Sequence, residues 1–300
     1  MSKILCVARE LSARIEYALH TGAGNLTTIH GASSEGPGLV ETFTASGLIA
    51  DAVANALARF ESSGDGWPRF ALDELDNCGG ARTFRRSGLT IIASEDVSHR
   101  SSLLWGTALS NAERGLRVLA LVSSHDRDLI GRRLVSHKFG VISEALRIGR
   151  VNERDWIALE SPQADRGLPL SVRFGARREP WTLVGVDETW DLIVIDNLDG
   201  ACSAMTGALV ADALERLASS TPAHLLVGAP AVGHDQKRID LALADVADTT
   251  LVLASTDPPV GYWQRITATI TLPEPCSTRT AHLVYRSDTG VMHQLVGWER

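Results

Sequence analysis

Residues 89–102 read LTIIASEDVSHRSS, and this stretch decides the fold class. Its apolar, β-branched beginning predicts a buried strand over Leu89–Ala93. A short polar segment follows, and then a helical pattern predicts a helix over Ser101–Arg114, which Gly115 is expected to end. A strand, a short loop and a helix form the unit from which parallel sheets are built, so the stretch predicts an α/β fold.

Strands and helices alternate along the rest of the chain. Further strands are predicted at Leu116–Val122, Trp190–Ile195, Leu225–Val227 and Thr250–Ala254, with helices at Asp128–Phe139, from Asn152 and at Ala208–Ala218. The end of the chain predicts two antiparallel strands, Ile266–Leu272 and Ala281–Tyr285, with a turn signal at Asp288–Gly290. Buried strands separated by helices indicate a mainly parallel twisted sheet with helices on both faces.

Residues 1–66 have a different pattern and are predicted to form a small α/β appendage. A short strand is expected at Lys3–Ala8, and apolar residues at helical spacing predict a helix over about 47–60. The Ser- and Gly-rich residues 62–66 are typical of a linker. The main domain is therefore expected to span residues 67–300.

Composition excludes several classes of protein. The chain has 300 residues, a formal net charge of -7 and 44% hydrophobic residues, which argues against disorder. It has no apolar run of the length that a membrane span requires, and a cytoplasmic location is expected. The four cysteines are widely separated, and no His or Cys pair has the spacing of a metal site.

The loop after the first strand occupies the position of a phosphate-binding loop, Gly-x-x-x-x-Gly-Lys-Ser/Thr. In that register Ser94 and His99 stand for the two glycines, Arg100 for the lysine and Ser101 for the hydroxyl residue. Only the hydroxyl is kept, and Glu95 and Asp96 add negative charge beside the place of a triphosphate. Arg100 is planar and larger than lysine, so this replacement is not conservative.

A second part of a nucleotide site is better preserved. Residues Asp191–Asp196 form an apolar strand that ends in an acid, as does the strand that holds Mg²⁺ in many ATPases. Ser94, His99, Arg100, Ser101 and Asp196 are thus the candidate residues of a degenerate nucleotide site. Asp196 and Ser101 would be metal ligands only if Mg-ATP binds.

The order of several segments resembles the C-terminal ATPase domain of DnaB-type replicative helicases, within the RecA-like superfamily. The segments are Ala71–Leu75 with Gly79-Gly80, Ile91–Leu104, Arg133-Leu134, Leu146–Arg150, Asp155-Trp156, Asp191–Asp196 and Tyr285–Gly290. The resemblance covers residues 70–300 and implies a RecA-like P-loop fold.

The chain departs from the family at the positions that carry chemistry. The catalytic Glu of the family falls near Ser124, with Asp126 as a possible substitute, and its Lys-x-Arg finger falls on Leu272 and Glu274. The polar sensor of the family falls in Gly228–Pro230. Arginine fingers alone contribute about 10³–10⁵ in rate, so the resemblance implies a fold kept without efficient ATP hydrolysis.

Three functions remain open. The first is a pseudo-ATPase that serves as a protein-binding scaffold or regulator and needs no cofactor. The second is a divergent ATP-binding protein in which Arg100 replaces lysine and Mg-ATP binds with low affinity. The third is a single-stranded DNA-binding module without ATP chemistry, with Lys237 and Arg238 or the basic segment Arg127–Lys138 as contacts.

Association with other proteins is expected in each case. Residues 1–66 or a ring-type interface, which the resemblance implies, would contact a protein partner or a second copy of the chain. Trp105 and Trp156 lie at apolar positions of predicted helices and are expected in the core.

Overall fold

The computed structural model describes residues 67–79, 84–122, 126–160, 167–175, 189–196, 207–232, 240–272 and 277–295, together with residues 182, 184 and 198. Several predictions fall outside these ranges. They concern the appendage at residues 1–66 with its helix at 47–60, the candidate DNA contacts Lys237 and Arg238, and the positions Ser124 and Glu274.

The described part of the chain contains one sheet of nine strands. They are β1 (Leu89–Ser94), β2 (Val118–Val122), β3 (Leu170–Phe174), β4 (Leu192–Asp196), β5 (His224–Pro230), β6 (Thr249–Ser255), β7 (Trp263–Leu272), β8 (Ser277–Arg286) and β9 (Val291–Gln294). The order across the sheet is β3-β2-β4-β5-β1-β6-β7-β8-β9. Strands β1 to β6 pair in parallel, whereas β7, β8 and β9 are antiparallel additions.

Seven helices accompany the sheet in the described ranges. They are α1 (Asp73–Gly79), α2 (Val97–Glu113), α3 (Arg127–Phe139), α4 (Ser143–Arg147), α5 (Glu153–Leu159), α6 (Gly207–Ser220) and α7 (Leu241–Val246). None of them, within the residues described, has the length and hydropathy of a membrane-spanning segment. Gly115 follows α2 with a φ of 87°, which is the conformation expected of a glycine that ends a helix.

Apolar residues fill both faces of the sheet. On the first face, side chains of β1, β4 and β6 to β9 pack with α1 and α2, and Ile92, Leu104 and Leu253 belong to this cluster. On the second face, side chains of β1, β2, β4 and β5 pack under α6 and α7. The prediction of a mainly parallel sheet flanked by helices is therefore confirmed.

Several local predictions were wrong or incomplete. Helix α2 begins at Val97 rather than at Ser101, because Asp96 caps it. The turn at Asp288–Gly290 connects β8 to β9, and neither β9 nor the edge strand β3 was predicted. Trp105 is buried as expected. Trp156 was expected in the core but is 50% exposed, and α5, to which it belongs, contains no buried residue.

Candidate functional site

The connection between β1 and α2 is only two residues long. Strand β1 ends at Ser94 and α2 begins at Val97, so Glu95 and Asp96 alone join them. The Asp96 carboxylate accepts a 2.7 Å hydrogen bond from the Ser98 backbone N–H. This is the usual way in which an aspartate caps a helix, and it places the carboxylate where the helix field attracts anions.

The early start of α2 gives the backbone a different conformation from that of a phosphate loop. A phosphate loop wraps backbone N–H groups around the phosphates. Here residues 97–99 are already helical, and the Arg100 N–H points to the carbonyl oxygen of Asp96 at 3.5 Å. These residues therefore align with a phosphate loop in the sequence, but their backbone does not adopt the wrapped conformation of such a loop.

Arg100 is completely buried and turned into the fold. Its exposed fraction is 0%, and Nη1 donates a 2.6 Å hydrogen bond to the carbonyl oxygen of Ser94. Gly228 on β5 leaves the space beside it: a Cβ at Gly228 would lie 3.7 Å from Arg100 Cδ and 2.8 Å from Leu104 Cδ1. The side chain that stands at the lysine position therefore binds the end of β1.

Ser101 and Asp196 are brought into direct contact. Ser101 Oγ donates a 2.7 Å hydrogen bond to Asp196 Oδ1, and both residues are buried. The contact joins the first turns of α2 to the end of β4. The sequence analysis predicts these two residues as the hydroxyl and the acid of one site, and in the structure they form a hydrogen bond.

Two further side chains contact the same carboxylate. Trp105, one helical turn after Ser101, donates from Nε1 to Asp196 Oδ2 at 2.7 Å. Arg133 of α3 approaches Oδ2 with Nη1 at 3.5 Å. Asp196 is only 4% exposed, so these donors and the arginine charge compensate a carboxylate that is removed from water.

His99 lies apart from this cluster. Its ring is 2% exposed, its Nε2 is 3.0 Å from Gln264 Oε1, and it packs edge-on against the Tyr285 ring at a centroid distance of 4.7 Å. Burial raises the pKa of Tyr285, and a hydrogen bond from Ser98 opposes this shift. His99 thus anchors the start of α2 to β7 and β8.

The other predicted positions have structural contacts. Asp126 caps α3 by accepting a 2.9 Å hydrogen bond from the Leu129 N–H, and Leu272 is buried in the core. The basic segment 127–138 forms α3, where Arg132 pairs with Asp128 at 2.5 Å. Arg127 lies over the Phe174 ring at 5.5 Å.

Sequence reasoning missed Trp105 and Arg133 as partners of Asp196. The one signal for Trp105 is its position four residues after Ser101, which places both side chains on one face of α2. In the described ranges, no three His, Cys, Asp or Glu side chains are grouped so that they could hold a metal ion.

Comparisons with known proteins agree with this architecture. No protein-family model matches the chain, and no curated protein sequence matches it. Two solved structures superpose with a TM-score of 0.66. One is an isolated ATPase domain, which is 15% identical; the match covers 82% of this chain and 98% of that domain. The other is a DnaB-like replicative helicase in a study of its interactions with primase. It is 13% identical, covering 82% of this chain and 68% of its own.

The RadB recombinase also matches, with a TM-score of 0.48, 14% identity, and coverage of 75% of this chain and 97% of its own. At these identities the similarity concerns the fold. The chain has a RecA-like fold that resembles the ATPase domain of DnaB-like replicative helicases.

Proposed function

We propose that this protein is a RecA-like pseudo-ATPase, which keeps the fold as a scaffold or regulator in DNA metabolism and does not hydrolyse ATP. The observation that carries the proposal is the closed cluster around Asp196. Its two carboxylate oxygens accept hydrogen bonds from Ser101 and Trp105, and Arg133 supplies a positive charge. A catalytic site for Mg-ATP needs that acid to be available to the metal.

The electrostatics of Asp196 support this proposal. In a metal-dependent ATPase the acid is compensated by Mg²⁺ and its water shell. Here a divalent ion would compete with the Trp105 indole and the Arg133 guanidinium for Oδ2. Displacing the indole would leave its buried N–H donor without a partner, which costs about 1–3 kcal/mol.

The shape of the loop supports it independently. A triphosphate at the start of α2 would need the Ser98 N–H, which already donates to the Asp96 carboxylate at 2.7 Å. Asp96 thus caps the helix with its own negative charge. A ligand phosphate would therefore have to displace the cap and meet the charge of Glu95 as well.

The position of Arg100 distinguishes the pseudo-ATPase proposal from the alternative of a divergent ATP-binding protein. In the divergent alternative, Arg100 would take over the phosphate contact of the missing lysine. Its buried position and its bond to the Ser94 carbonyl favour a structural role instead. No comparable observation favours single-stranded DNA as a ligand, because several basic residues of α3 already have partners within the fold.

The proposal is tested with the full chain and Mg-ATP. Isothermal titration calorimetry at millimolar nucleotide is expected to show no heat of binding, and a phosphate-release assay no turnover. Asp196→Ala is the informative variant, and exposed Asp128→Ala is its matched control. Magnesium-dependent hydrolysis that is lost in Asp196→Ala and kept in Asp128→Ala would refute the proposal.

The scaffold role needs its own test. We expect a protein partner to bind through residues 1–66 or through a surface of the RecA-like domain. A pulldown with the full chain, repeated with residues 67–300 alone, assigns the contact to one of them. Retention of a specific partner only by the full chain supports the appendage, and retention of none by either form contradicts the role.

A further inference from the structure

On the second face of the sheet, no described helix covers the part formed by β7 and β8. Strands β7 and β8 pair in register, so directly opposed residues point to the same side. Alternate residues of β7, such as Ile266 and Ala268, point into the core under α1 and α2. The intervening residues of β7, from Trp263 to Thr271, and their partners on β8, from Thr278 to Arg286, form the other side, which we name the open sheet face.

The open sheet face lies on the same side of the sheet as α6 and α7. Val252 of β6 packs in the apolar cluster beneath these helices, and it is paired with Thr269 of β7. Paired residues share a side, so Thr269 and the open sheet face point toward the side of α6 and α7. The helices cover β1, β2, β4 and β5. Among the described residues no helix continues over β7 on this side, so the helical layer ends in a step above the sheet.

The two neighbouring surfaces differ in charge. On this side, β7 and β8 carry threonines, a tryptophan, a histidine and the cations Arg265 and Arg286, and none of them is acidic. Val284, which is paired with Arg265, is only 6% exposed and lies buried between these side chains. Asp288 at the rim pairs with Arg286 at 2.8 Å and holds it over the Trp263 ring. Arg265 is exposed and contributes positive charge in a chain with a net charge of -7.

The surface of α6 and α7 is acidic and aliphatic. Leu241 is 81% exposed, the highest value among the large apolar side chains of the described residues, and Leu209 is 54% exposed. Asp212 lies one turn after Leu209, and Asp245 one turn after Leu241, so each acid flanks an exposed leucine. We name the surface of these four residues the acidic helical face. Asp212 pairs with Arg216 of the same helix at 2.5 Å, so Asp245 is the main carboxylate that this surface offers to a cation of another copy.

We infer that the chain forms a two-fold dimer in which the open sheet face of each copy covers the acidic helical face of the other. Because both faces lie on one side of the sheet, a single two-fold axis satisfies both contacts and closes the assembly at two copies. The exposed leucines would then pack on the sheet, and Arg265 would face the carboxylates that flank them. An open head-to-tail chain would leave one face of each type uncovered at its ends, and a head-to-tail ring would contain more than two copies.

The size of the open sheet face suits a stable dimer. Strands β7 and β8 are each ten residues long. At about 3.4 Å per residue and about 4.8 Å between strands, two such strands present roughly 330 Å². Two contacts, counted on both partners, bury about 1,300 Å², which falls within the ~1,200–2,000 Å² of specific interfaces.

Rigid, exposed apolar groups stand at the end of the open sheet face. Val260 and Trp263 exchange backbone hydrogen bonds of 2.8 and 3.1 Å around Gly261, whose φ is 60°. Tyr262, at the tip of this turn, is 63% exposed, and its carbonyl oxygen accepts a 2.8 Å bond from the Ser287 N–H. The backbone of this turn is held in place before binding, so presenting the Tyr262 side chain to a partner costs little backbone entropy.

Sedimentation velocity and light scattering of the full chain, over a hundredfold range of concentration, test the dimer. We expect a reversible dimer whose dissociation constant rises at least tenfold in Leu241→Ser and in Arg265→Glu. Arg154→Glu changes an equally exposed arginine on α5, away from both faces, and is expected to leave the constant within twofold. Circular dichroism confirms that each variant is folded.

Three results would overturn the inference. The first is a monomer at every concentration, and the second is a particle larger than a dimer. The third is a dimer whose dissociation constant is unchanged in both Leu241→Ser and Arg265→Glu. None of these measurements involves nucleotide, so a failure of the dimer inference can be distinguished from a failure of the proposed pseudo-ATPase function.

Discussion

The indole Nε1 of Trp105 lies 2.7 Å from Oδ2 of Asp196 and donates a hydrogen bond to it inside the protein. Trp105→Phe keeps an aromatic ring and removes this donor, so a buried carboxylate oxygen loses its closest partner. We expect the free energy of unfolding to fall by about 2–4 kcal/mol, as measured by urea denaturation. Trp156→Phe, at a half-exposed site, is the matched control and is expected to change little. Equal effects of the two substitutions would contradict the role of Trp105.

Two adjacent serines of α2 differ in whether their hydroxyl group forms a hydrogen bond. Ser101 Oγ donates to Asp196, whereas Ser102 Oγ is buried with no hydrogen-bond partner. We expect Ser101→Ala to cost about 2 kcal/mol in unfolding free energy, because the carboxylate loses a donor. Ser102→Ala removes an unsatisfied polar group and is expected to be neutral or slightly stabilising. Thermal unfolding of both variants checks this order, and a reversed order would refute it.

Restoring the lysine of a phosphate loop is not expected to restore nucleotide binding. In Arg100→Lys, the loop between Ser94 and Val97 still has two residues and the cap of Asp96 remains. We therefore expect no rise in melting temperature of this variant with millimolar Mg-ATP. The parent chain, measured in parallel with ATP and with AMP, is the control. A rise that is specific for Mg-ATP would show that the side chain at residue 100 alone excludes the ligand.

Two glycines provide a test of the packing of Leu104 against β5. Gly228→Ala would bring a Cβ to 2.8 Å from Leu104 Cδ1, which requires Leu104 to shift. We expect a loss of about 1–3 kcal/mol in unfolding free energy. Gly131→Ala, in α3 and with no atom within 4 Å of the new Cβ, is the control and is expected to gain about 0.5–1 kcal/mol. A stabilising Gly228→Ala would contradict the packing described here.

Buried histidines predict a loss of stability in mild acid. Burial lowers the pKa of His137 to about 4, aided by the charges of Arg133 and His293, and lowers that of His224 to about 3. Both have an ordinary value of 6.5, so below about pH 6.5 the unfolded chain binds protons that the folded chain does not. The free energy of unfolding therefore falls as pH falls from 6.5 toward 4.

Asp76 acts in the opposite direction. Burial raises its pKa from 3.8 to about 6, so the folded chain keeps a proton that the unfolded chain releases.

Over pH 5–6 we expect His137→Gln to reduce the slope of unfolding free energy against pH by about 1.4 kcal/mol per unit. His282→Gln, on the exposed part of β8, is the matched substitution. Identical slopes in the parent and the His137 variant would contradict the assignment.

The strands of the parallel core could be predicted because each is a short apolar run. Strand β3 was missed because its residues are only partly buried at the sheet edge, and the four residues of β9 are too few for a pattern. Helix α2 starts four residues before the predicted position because Asp96 caps it, and the sequence analysis did not predict this cap. A short helix such as α5 has too few turns to tell which side is covered, so Trp156 was assigned to the core.

The candidate site was predictable in part. Ser101 and Asp196 were selected from the types of residue that follow two buried strands, and they do meet. The sequence could not indicate that Trp105 and Arg133 reach the same carboxylate, because that depends on how α2 and α3 cross above β4. The burial of the Arg100 side chain likewise could not be predicted, because residues far along the chain, such as Gly228 of β5, lie beside it.

The Asp96 cap has a consequence for thermodynamic linkage. A domain whose phosphate loop is completed by its ligand becomes more stable as the ligand concentration rises. Here a carboxylate of the chain itself caps the helix, so its effective concentration at that position is fixed by covalent connection. Under the proposed function, the fraction of folded protein would be the same in an energy-rich and an energy-depleted cell, and the protein could hold its partners regardless of the supply of ATP.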